Sequence, residues 1–207
     1  MAEGYFIARW FHVLFGIVWI GMLYYFNFVQ MAYFAEAEPS AKSDAVKKLA
    51  PRALWWFRWG AAATFITGLA LLHLGGYSFG DMAARPLIWL GVLMGTLMFL
   101  NVWLIIWPNQ KIVIGLAEGD AAAAGAKATL ASRTNTLFSG PMLFGMLAAA
   151  HYANPASTTA FYVGAGLIAA LELNAIFGKL GPIKSVVGVI HMSLLLTLVL
   201  WGIVTYL

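Results

Sequence analysis

Six apolar runs of about 20 residues, separated by short polar loops, constrain this chain more than any other feature of its sequence. A run of that length crosses a hydrocarbon core of roughly 30 Å as a helix, with every backbone group satisfied internally. The spans run from Tyr5 to Phe34, Ala53 to Leu74, Pro86 to Trp107, Thr129 to Tyr152, Thr158 to Phe177 and Ser185 to Tyr206. Short segments of strand-like alternation, the mark of an outer-membrane barrel, are missing. Composition agrees. The chain is 62% hydrophobic and 10% charged, with mean hydropathy +0.84, whereas a soluble domain carries roughly 25% charged residues. The expected fold is all-α: one domain over residues 1–207, a polytopic membrane helical bundle of about six transmembrane helices.

Prolines punctuate this pattern. Pro39, Pro51, Pro86, Pro108, Pro155 and Pro182 fall at or between span ends, where proline costs least. Pro141 lies inside the fourth span and is expected to kink it. The Ala/Gly-rich stretch from Ala117 to Ala128 reads as a short surface helix ahead of that span.

Charge sets the orientation. Lys42, Lys47, Lys48, Arg52, Arg58, Lys111, Lys127, Arg133, Lys179 and Lys184 flank the first, third and fifth loops, against only Arg9 and Arg85 on the opposite side. The positive-inside rule then puts both termini outside, in the periplasm for a bacterial inner-membrane protein. The net charge of +4 is explained by these loops, so no nucleic-acid partner is expected. Zero cysteines exclude disulfides, thiolate metal sites and covalent CxxCH haem attachment within this chain. The first run is too long for a signal peptide, and no small-residue cleavage site closes it. Trp10, Trp55, Trp56, Trp89, Trp107 and Trp201 lie near span ends, as in interfacial belts.

Ionisable groups inside spans are costly and are functional candidates by default. His12 lies about 10 Å below the outer surface, and His73 and His151 lie within about a turn of outer span ends. Imidazoles without cysteine suit axial ligation of a b-type haem, with copper as the alternative metal. Gly16, one turn from His12 on the same face, would let a flat macrocycle approach. The competing reading is unligated interfacial histidine. Deeper on the inner side, Glu172 and His191 sit at nearly equal depth, with Asn174 and Asn101 at similar levels. That group would handle protons or bind substrate, or else be a structural hydrogen bond between helices. Gly91-x-x-x-Gly95 reads as a close-packing face.

Three segments carry a resemblance: Trp10 to Gln30, Ala53 to Gly60, and Asn101 to Lys111. They resemble the PuuD-type membrane urate hydroxylases, and the likeness extends over essentially the whole chain. More loosely, the opening segment is similar to HemJ-type protoporphyrinogen oxidases and CopD-type copper-resistance proteins. The resemblance implies a membrane oxidoreductase passing electrons from urate or another purine to a c-type cytochrome. In that family a cytochrome domain follows the membrane part, whereas this chain ends at Leu207 without a CxxCH motif. Either a separate periplasmic cytochrome would then take the electrons, or this shorter relative has lost urate chemistry and kept only the membrane scaffold. The rival expectation is a non-catalytic subunit that packs within a larger respiratory or oxygenase complex or anchors a cytochrome, with Gly91, Gly95 and the Ala/Gly-rich faces of spans four and five as partner contacts. A transporter or channel is weaker, because paired discontinuous spans and dense intramembrane charge are lacking.

Overall fold

The computed structural model describes residues 2–152 and 155–207. All of its regular structure is helical, and no strand occurs among the described residues. The helices are α1 (Ala2–Tyr24), α2 (Met31–Glu36), α3 (Pro39–Lys48), α4 (Ala50–Leu74), α5 (Pro86–Leu100), α6 (Trp107–Val113), α7 (Ala121–His151), α8 (Thr158–Phe177) and α9 (Val186–Tyr206). Two π-helical turns, Tyr25–Gln30 and Asn101–Ile106, join α1 to α2 and α5 to α6. Five continuous helices are long and apolar enough to cross a bilayer: Glu3–Glu36, Ala50–Leu74, Pro86–Val113, Thr158–Phe177 and Val186–Tyr206. This is a multi-pass helical membrane protein.

The third span does not stop before Pro108, as expected, but continues to Val113. Proline lacks the N–H that would bond back into the preceding turn. Here it comes after the wider π-helical turn and occupies the first turn of α6, where that loss is tolerated.

The expected fourth span is part of the 31-residue α7, which falls outside the five apolar helices. The short surface helix expected ahead of it does not form as a separate element. Asp120 Oδ1 accepts from the backbone N–H groups of Ala122 and Ala123, at 2.9 and 3.1 Å, and the alanine-rich stretch simply forms the first turns of α7. Pro141 sits within α7 without ending it. Residues 133–139 are buried at every position, so all faces of the helix are covered there. Arg133, expected among the loop charges, is therefore interior.

The contacts divide the chain into two compact units, Met1–Leu71 with Phe99–Ser132, and Leu72–Met98 with Arg133–Leu207. In the first, α1 and α4 run antiparallel in close contact. A Cβ on Gly60 would stand 3.2 Å from the Trp19 backbone nitrogen, and one on Gly68 would stand 3.1 Å from His12 Cε1. Arg58 stacks its guanidinium 4.0 Å from the Trp107 ring centroid. In the second unit, α5 and α7 touch through glycine. A Cβ on Gly145 would lie 2.5 Å from the Leu87 carbonyl oxygen, and one on Gly91 3.2 Å from that of Met142. The close-packing face read from Gly91 and Gly95 is thus used inside the chain, against α7.

Candidate functional site

Within the second unit, α7 carries Arg133, Thr134, Asn135, Thr136 and Ser139, all buried. Such a run cannot face lipid, because each polar group would lose its hydrogen bonds there. Most of the groups are satisfied. Asn135 Nδ2 donates to the Met98 carbonyl of α5 at 2.9 Å, and Ser139 Oγ donates to the Thr136 carbonyl at 2.8 Å. Thr134 and Thr136 also engage partners. Arg133 is the exception: it is 3% exposed, and its Nε and Nη1 have no hydrogen-bond partner among the described residues. Two turns along the same face, Gly140 brings α7 against α9, where a Cβ would lie 2.5 Å from Ser193 Oγ.

Glu172 of α8 belongs to the same unit; it is buried, 8% exposed, and has a partner. His191 of α9 is exposed, and its Nδ1 lies 2.8 Å from the Val187 carbonyl of its own helix. A carbonyl can only accept, so Nδ1 carries the proton. Glu172 and His191 thus occupy different surroundings, one interior and one surface. Asn174 serves the end of α8, donating from Nδ2 to the Lys179 carbonyl at 3.1 Å.

The first unit holds Asn101 and His12. Asn101 is 1% exposed, opens the second π-helical turn and engages a partner. Asn27 sits in the first π-helical turn, with Nδ2 donating to the Leu23 carbonyl at 2.9 Å and to Ser132 Oγ at 2.8 Å. Insertions of this kind often mark functional positions. The signal that singles out Asn101, a polar side chain deep in an apolar run, is equally present at Asn27, which is not among the candidates expected from sequence.

His12 is half-buried between α1 and α4. Its Nδ1 is 2.9 Å from the Thr64 carbonyl and 3.2 Å from Thr67 Oγ1. The carbonyl again requires Nδ1–H, leaving the lone pair on Nε2. Gly16 shares this face, and a Cβ there would stand 3.9 Å from Thr64 Cγ2. Gly16 therefore looks onto α4. His73 and His151 are exposed near or at the ends of α4 and α7. No cluster of three or more His, Asp or Glu side chains fit to hold a metal ion occurs among the described residues. A pair of imidazoles is all that haem ligation asks.

The second unit also has a cavity of about 220 Å³, lined in part by Tyr77, Arg85, Ile88, Ala148 and Tyr152. Arg85 is exposed there and lies 4.7 Å from the Tyr77 ring centroid. Trp201 Nε1 donates to the Tyr152 hydroxyl at 3.1 Å.

Fold and site together define a multi-pass helical membrane protein with a charged, buried polar segment on one helix. The chain belongs to the urate oxidase N-terminal family, which it matches over residues 76–179, just over half of its length. The matched region contains Asn101, Arg133, His151 and Glu172; His12, Gly16, His73 and His191 lie outside it. No curated protein and no solved structure matches the chain.

Proposed function

We propose that this protein is a membrane oxidoreductase that takes electrons from urate or a related purine and passes them to a c-type cytochrome. The observation that carries this reading is the buried polar run from Arg133 to Ser139, which falls inside the family-matched region. A polar purine needs such an interior, because apolar helices alone offer it no hydrogen bonds. Both termini lie outside in this reading, so the cytochrome docks on the periplasmic side of a bacterial inner membrane.

The donor chemistry of His12 fits an iron ligand, since a carbonyl holds Nδ1–H and orients Nε2 as the free nitrogen. His12 would hold a b-type haem from one side; His73 and His151 are the further histidines proposed as ligands. Bound there, the haem would carry single electrons; copper at the same nitrogens is the lesser alternative. In this reading the buried Glu172 carboxylate accepts the protons that oxidation of a purine releases. His191 and Asn101 stand as secondary candidates for proton release and substrate orientation.

The test is steady-state turnover with the protein purified in mild detergent. Urate should reduce an added c-type cytochrome. Glu172→Gln should lower the rate at least about tenfold. Wild-type protein that reduces no cytochrome with urate, or with any purine, would defeat the proposal.

A further inference from the structure

We infer that Arg133 is the anion-recognition residue of this protein, with its guanidinium binding the edge of a planar purine anion. The inference deepens the reading above and rests on it for the identity of the purine.

An arginine cannot lose its charge in a protein, so burial cannot be relieved by deprotonation. A buried charge without a partner is strongly destabilising. Arg133 nevertheless sits 3% exposed with Nε and Nη1 unbonded. The neighbouring polar side chains of the same helix are committed elsewhere: Asn135 to the Met98 carbonyl, Ser139 to that of Thr136, and Thr134 and Thr136 to partners of their own. Among the described residues nothing fills these two donors, and an acceptor with negative charge, supplied by a ligand, would complete the site.

Guanidinium geometry narrows the choice. Nε lies on one edge of the planar fork and Nη1 on the other, so each edge keeps an open donor. Planar anions with adjacent acceptors, such as a deprotonated purine with its ring nitrogen beside a carbonyl oxygen, match such an edge when Nη2 serves as its second donor. Urate is a monoanion at neutral pH, so charge and shape agree. Arg85 makes the contrast clear. It is exposed, stacked near Tyr77, and needs no ligand.

The experiment is equilibrium binding of urate to the whole protein in detergent, comparing wild type with Arg133→Lys, Arg133→Gln and Arg85→Gln. Thermal unfolding without ligand is measured in parallel. Lysine keeps the charge but loses the fork, so Arg133→Lys should weaken urate roughly tenfold. Arg133→Gln should weaken it roughly 100-fold, and Arg85→Gln should leave it within about twofold. Unliganded Arg133→Gln should unfold no earlier than wild type, because it loses an unpaired buried charge. A purely structural arginine would give the opposite shift, which would overturn the inference. So would Arg133→Gln binding urate as wild type does, or Arg133-dependent retention of inorganic phosphate or phosphatidylglycerol in place of the purine. If wild type binds no urate, the proposed function fails, and orotate, a planar anion of different ring chemistry, becomes the probe. Arg133-dependent orotate binding would then uphold an anion site, and Arg133-independent or absent binding would refute it.

Discussion

A single carbonyl decides which nitrogen of His12 carries its proton. With Thr64 O at 2.9 Å from Nδ1, the ring is held against α4 with Nε2 free, the arrangement that metal-ligating histidines share. Gly68 makes room for it. Gly68→Ala would place a Cβ 3.1 Å from His12 Cε1 and 3.5 Å from Nδ1, forcing the ring away from the carbonyl. The expected cost is about 1–3 kcal/mol in detergent unfolding, with any haem signal weakened alongside. Gly16→Ala meets only Thr64 Cγ2 at 3.9 Å and should be close to neutral. Equal stability of the two variants would refute this packing. At this scale the sequence is a mixed guide. Histidines and Glu172 stand out because ionisable groups inside apolar runs are costly. Arg133 does not, because an arginine beside a span end looks the same whether it faces headgroups or the interior. The next residues along, Thr134, Asn135 and Thr136, carry the missing signal, since three polar side chains in one helical turn cannot all avoid lipid unless the helix is enclosed.

At the scale of elements, α5 and α7 depend on the absence of side chains at their contact. Gly145→Ala would drive a Cβ to 2.5 Å from the Leu87 carbonyl, and backbone cannot yield there as a flexible side chain does. It should destabilise the protein by about 1–3 kcal/mol. Gly95→Ala meets only methionine side chains at 3.8 Å and should be tolerated, so equal loss in both would disprove the close approach. Gly91, on the same contact, is occupied within the chain, which removes it as a surface for another subunit. The membrane helices are legible because apolar length is read directly from the residues. The π-helical turns are not, since nothing in the run from Tyr25 to Gln30 distinguishes a wider turn from an ordinary one. Likewise α7 is legible as a helix but not as the polar one. Its alanine-rich start looks like a surface segment, whereas strong helix propensity and the Asp120 cap make it continuous with the rest of α7.

For the whole molecule, the proposed function and the proposed role of Arg133 meet in one testable consequence: a purine anion would stabilise the native state. A ligand that binds only the folded protein raises its stability by about 2.7 kcal/mol at 100 times its dissociation constant. The direct measurement is thermal unfolding of the intact protein in detergent, with and without saturating urate, for wild type and for Arg133→Gln. Urate should raise the unfolding temperature of wild type by several degrees and that of Arg133→Gln far less. No rise in wild type, or the same rise in both proteins, would contradict a purine site at Arg133.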